Sequence, residues 1–219
     1  MSALLLALLL APPPTSLARA MDEHYGAIRE MHLGVVHGLI DHVRERARWL
    51  GAHLVVPDAP AIAAQVAAVR AEAANLAETP DLDEAAAGVA RLSGACGACH
   101  LAAGATTTFP YEPLPRATRT LADRMLRHRW AAARMWEGLV GPSETLWREG
   151  ARTLASAPLI DDPRLAAVPE RDRLRALARG VRRLARRATT APAESRVELY
   201  GELLETCAGC HRLAWPIVR

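Results

Sequence analysis

The chain contains no lysine; all 27 of its basic residues are arginine, a trait of genome composition rather than of function. Aromatic residues make up only 4% of its 219 positions, and phenylalanine occurs once. Runs of β-branched residues are absent, whereas Ala and Leu are abundant. That balance argues against a sheet and for helices. Apolar stretches are short as well, and none is long enough to cross a bilayer. Cysteine is the most restricted residue of all. There are four, and each lies in a Cys-x-x-Cys-His segment.

The two segments are Cys96-Gly97-Ala98-Cys99-His100 and Cys207-Ala208-Gly209-Cys210-His211. This is the attachment pattern of c-type haem. Two thiols react with the two vinyl groups, and the adjacent imidazole becomes an axial iron ligand. On a helix, positions i, i+3 and i+4 share one face, so all three side chains can meet one porphyrin. A redox dithiol, a zinc site built from one or both pairs, and a disulfide framework would also use these thiols. None of those requires a histidine after each pair. The expectation is two covalent haem c groups, held by Cys96, Cys99, Cys207 and Cys210, with His100 and His211 as proximal iron ligands.

Residues 1–20 read as a signal peptide. Ala3 to Ala11 are apolar, and Ala18-Arg19-Ala20 fits a small-x-small cleavage site, although no Lys or Arg precedes the apolar stretch. An uncleaved membrane anchor is the alternative. Export agrees with the haem motifs, because c-type haem is attached on the outer side of the bacterial inner membrane. The expected location is the periplasm.

An internal repeat follows. Met21–Leu50 set against Met125–Leu154, a shift of 104, gives eleven identities in thirty positions, among them Met21/Met125, His24/His128, Met31/Met135 and Gly34/Gly138. At the haem motifs the shift is 111, and the seven extra residues fit the stretch Ala157–Arg171. The reading is two homologous modules, 21–102 and 117–219, joined by a Thr- and Pro-containing linker, 103–116. Each is expected to hold four helices, near 21–36, 38–53, 59–78 and 81–102, then 117–140, 142–156, 169–188 and 192–212. Thr79 is the expected N-cap of the fourth helix, with Thr190 as its counterpart, and Pro142 fits the first turn of the sixth.

A four-helix module with its haem motif near the end of the last helix resembles the class II cytochromes c, the cytochrome c′ group. The resemblance covers residues 21–213. Fusion of two modules in one chain departs from that group. The resemblance implies an all-α fold of two tandem four-helix bundles, and a distal residue supplied by the first helix of each. On those helices Met21, His24, Ile28, Met31 and Val35 form one stripe, as do Met125, His128, Ala132, Met135 and Leu139. Such stripes are commonly plain core. His24 and His128 are nevertheless candidate sixth ligands, followed by Met21 with Met125 and by Met31 with Met135; an open five-coordinate iron is the other possibility. His32, His37, His42 and His53 lack counterparts and read as surface or polar-face residues.

Charge divides unevenly. Met21–Pro110 carries 6 Arg and 11 acidic residues, a net −5; Tyr111–Arg219 carries 20 Arg and 13 acidic residues, a net +7. Eight Arg lie between Arg171 and Arg187. They read as a solvated helix face or as a dock for an acidic redox partner or anionic lipid. Nucleic-acid binding is not expected, and no small-molecule substrate is indicated. The leading expectation is a dihaem electron carrier rather than an enzyme. Gas binding (NO or CO) at an open iron is the alternative.

Overall fold

The computed structural model describes residues 16–56, 59–116, 120–157 and 168–218. The apolar stretch of the expected signal peptide lies outside them. Ala18-Arg19-Ala20 lies inside the first helix. The described residues form an all-α fold of eight helices: α1 (Ser16–His37), α2 (Ile40–His53), α3 (Ala63–Ala77), α4 (Leu82–Ala102), α5 (Leu121–Val140), α6 (Glu144–Ser156), α7 (Arg171–Ala188) and α8 (Arg196–Val218). Among them there is no strand, and no helix is long and apolar enough to cross a membrane.

α1 starts at Ser16 rather than near 21, α3 at Ala63 rather than near 59, and α5 at Leu121 rather than near 117, with 117–119 outside the described residues. The expected start signals differ at three further helices. The N-cap of α4 is Asp81, whose carboxylate accepts from the amides of Asp83 and Glu84. A charged oxygen reaching two free N–H groups outcompetes Thr79. Thr79 is instead buried, and its carbonyl accepts from the Arg44 guanidinium. Ser143, not Pro142, opens α6, because its hydroxyl accepts from the amide of Leu146. A short 3₁₀ turn, Ala193–Ser195, precedes α8, which therefore starts later than Thr190 implied.

Helices α1 to α4 pack in sequence, with α4 returning to α1; α5 to α8 do the same. The repeat has a steric basis. A Cβ on Gly34 would meet Val43 at 2.8 Å, and one on Gly138 would meet the Trp147 backbone at 2.7 Å. Each glycine lets the second helix of its half approach the first. Leu50 and Leu154, Met31 and Met135, and Ala47 and Ala151 are all buried.

The two halves meet along α4 and α8, with α1 also against α8 and α4 against α5. Small residues permit this. A Cβ on Gly201 would lie 3.3 Å from Ala87 Cα, and one on Gly94 would lie 2.6 Å from Val197. These contacts run α4 and α8 antiparallel, so the two cysteine segments point to opposite ends of the pair. About twenty residues of helical rise, on the order of 30 Å, separate His100 from His211 along that direction. One hydrophobic core includes buried residues from all eight helices. The connector after α4 is tied to α5: Trp130 Nε1 donates to Glu112 O at 2.8 Å, and Phe109 packs on Tyr25.

Candidate functional site

The first cysteine segment lies in the last turns of α4, as expected, whereas the second lies in the middle of α8, which runs on to Val218 beyond the expected end at 212; the fold gives the two segments different neighbours. On α4, Cys96 and Cys99 are partly buried, and His100 Nδ1 donates to Val140 O at 2.7 Å. Val140 ends α5, where carbonyls lack helical partners. The bond fixes the tautomer and leaves the His100 Nε2 lone pair available to a metal. Gly97 is required here, since a Cβ would fall within 2.2 Å of Leu139 O. Beside this segment Trp136 donates from Nε1 to Ser93 Oγ at 2.9 Å, and its ring packs on Tyr25 at 4.8 Å.

On α8, Cys207, Cys210 and His211 line a cavity of about 470 Å³ with mostly apolar walls. Helix α5 contributes Met125 and His128, and α7 contributes Leu174, Ala178 and Val181. His128 Nε2 is buried without a hydrogen-bond partner. Burial, aided by His211 and Arg182, pushes the His128 pKa down to about 4, so its imidazole is neutral at ordinary pH. Burial, with a smaller contribution from His37, lowers His211 in the same way.

The histidines of the repeat therefore have different surroundings. His128 opens on the cavity. His24 is buried, and its Nε2 donates to His53 O at 3.0 Å. Met125 lines the cavity, Met21 is half-buried, and Met31 and Met135 are fully buried core.

Of the histidines expected at the surface or on a polar face, His37 is exposed but His32 is not. His32 is buried at 7% exposure, and it lines the same cavity as His37 and His211. His37 is exposed at the end of α1, yet its ring centre lies 6.2 Å from that of His211, with planes 17° apart. The packing of α1 on α8, which local periodicity does not encode, draws them there. The lack of a repeat partner at His37 was the available sequence signal.

The four thiols are held in their protonated form by burial. Burial pushes Cys96 and Cys207 up to about 12 and Cys210 up to about 11, and raises Cys99. A reactive dithiol has a depressed pKa, often at a helix N-terminus; Cys96 and Cys99 lie near the C-terminus of α4, and Cys207 and Cys210 lie in the middle of α8. Among the described residues no three His, Cys, Asp or Glu side chains gather as a bare metal ion requires. All four thiols are free of disulfides.

No protein-family model, curated protein or solved structure matches the chain.

Proposed function

We propose that the chain is a periplasmic dihaem c-type cytochrome that carries electrons between redox partners. In this reading it is built as two tandem four-helix modules of the class II type. The observation that carries the reading is the apolar cavity in which Cys207, Cys210 and His211 face the unpartnered Nε2 of His128. An apolar chamber with three attachment groups on one wall and an unsatisfied imidazole suits a flat, largely apolar, metal-bearing group.

Cys207 and Cys210 would hold that group by thioether bonds, with His211 as proximal ligand. Cys96, Cys99 and His100 would do the same at the first site. When bound, haem iron supplies reversible one-electron chemistry. The protein's part is to keep water out and fix the imidazoles. Leu174, Ala178 and Val181 wall the cavity beside Cys207 and Cys210, and the carbonyl of Val140 orients His100. Arg129 also lines the cavity and brings positive charge suited to the carboxylates of such a group. The outer face of α7 exposes Arg171, Arg173, Arg179, Arg183, Arg186 and Arg187, a surface suited to acidic redox partners.

The other reading is binding of a small gas at an open iron. The absorption spectrum of the holoprotein, oxidised and reduced, with and without CO, separates the two. Low-spin bands in both states and no response to CO support the carrier. A high-spin ferric spectrum with a Soret band that shifts under CO favours gas binding, and absence of haem overturns both.

A further inference from the structure

The geometry points to His37, carried by the first half of the chain, as the imidazole that pairs with His211 across one haem iron at the second site. This inference rests on the haem reading above. A metal–imidazole bond is about 2 Å long, so two imidazoles on opposite sides of one ion place their ring centres about 6 Å apart. His37 and His211 are at 6.2 Å, with nearly parallel planes, at the wall of one cavity.

The repeat strengthens the assignment. The position matching His37 in the second half is Gly141, which packs so closely on Thr107 and Phe109 that a Cβ there would lie 2.3 Å from the Thr107 hydroxyl. A cross-half histidine is therefore available to the second site and not to the first. The His24/His128 pair behaves differently. His24 uses its Nε2 on a backbone carbonyl, so this position serves a hydrogen-bonding role in one half without any metal. In the second half no carbonyl engages the corresponding His128 Nε2. Gly38, at φ +76°, ends α1 directly after His37 and turns the chain away, leaving the His37 ring at the cavity mouth. The two irons would then differ in ligation, the second being completed only when the halves pack together.

The test uses holoprotein carrying covalent haem, checked by intact mass before any ligand experiment. Electron paramagnetic resonance of the ferric protein and CO stoichiometry of the ferrous protein are read for wild type, His37→Ala and His128→Ala. His37→Ala is expected to lose one bis-imidazole low-spin signal and gain one CO-binding haem per molecule. Added imidazole should restore the signal, and His37→Met should raise one reduction potential, because Met/His ligation does so. His128→Ala should keep the bis-imidazole signal. The assignment is overturned if His37→Ala matches wild type, if His128→Ala alone loses the signal, or if wild type has no bis-imidazole signal. Absence of haem in the mass measurement would instead defeat the cytochrome reading itself.

Discussion

His32 Nε2 lies 3.3 Å from the hydroxyl oxygen of Tyr200, joining α1 to α8 across 168 residues of sequence. The Tyr200 proton is already given to Ala132 O at 3.0 Å. The hydrogen between the two side chains must therefore come from His32, which fixes its Nε2–H tautomer. Three chain segments, two of them from the second half, meet at this buried point.

Acid should weaken the fold through His32. Burial first, then His37 and Arg29, lower its pKa from 6.5 to about 4. Between those values the unfolded chain binds a proton that the folded chain refuses. The contribution is complete above pH 6.5 and is lost as pH falls toward 4, a cost of roughly 3 kcal/mol. Urea denaturation at pH 7.5, 5.5 and 4.5 measures it, and His32→Leu should show a shallower decline. Equal declines in both proteins would remove His32 as the cause.

Tyr200→Phe should cost about 1–3 kcal/mol, because it strands Ala132 O and the His32 proton in the core. Thermal and chemical denaturation at pH 7.5 are the checks; a neutral result would mean that neither hydrogen bond contributes.

Two glycine replacements should have opposite signs. At Gly150 a Cβ would lie 2.4 Å from Ala131 O, so Gly150→Ala forces α5 and α6 apart at a cost of about 1–3 kcal/mol. Gly26 has open space around it, so Gly26→Ala should stabilise α1 by up to ~1 kcal/mol. Melting temperatures of the two variants, compared with wild type, decide the matter.

Arg134 and Glu137 form a buried ion pair at 2.8 Å, and Tyr25 donates to the same carboxylate at 3.2 Å. Glu137→Leu should destabilise by about 3–5 kcal/mol, because it leaves a buried guanidinium without its counter-charge. Adding Arg134→Leu should recover part of that loss. If the double variant is no better than the single one, the cost lies in packing.

Replacing Cys207 and Cys210 together by Ala should halve covalent haem per chain, as should replacing Cys96 and Cys99. Pyridine haemochrome content against protein mass gives the ratio; an unchanged ratio in either variant would disqualify that segment as an attachment site.

Local signals in the sequence made the helices legible. All eight fall where the sequence expects them, most ends agreeing to within four residues and only the start of α1 and the end of α8 lying five and six residues further out, because helical periodicity, Pro and polar caps act over one or two turns. Starts were less certain, since Thr79 and Asp81 compete for one cap and only geometry chooses. The pairing of Cys96, Cys99 and His100 on one face, and of Cys207, Cys210 and His211 on another, follows from helical spacing alone.

The surroundings of those residues were not legible. His24 and His128 match in the repeat, yet one is engaged by the carbonyl of His53 and the other faces a cavity. His32 and His37 lie in the second half of α1, and their neighbours Tyr200 and His211 come from α8, far away in the sequence. Gly94 and Gly201 are ordinary helical glycines until α4 and α8 cross.

By itself, then, the sequence determined helix content, the order of the elements and the spacing of the six Cys and His residues in the two Cys-x-x-Cys-His segments, because those depend on interactions between near neighbours in the chain. The tertiary structure alone decided which histidine stands beside which, which thiols line a cavity, and that one core spans both halves. Such facts depend on close approach of distant helices, and a residue's contacts across that distance leave no trace in its local pattern.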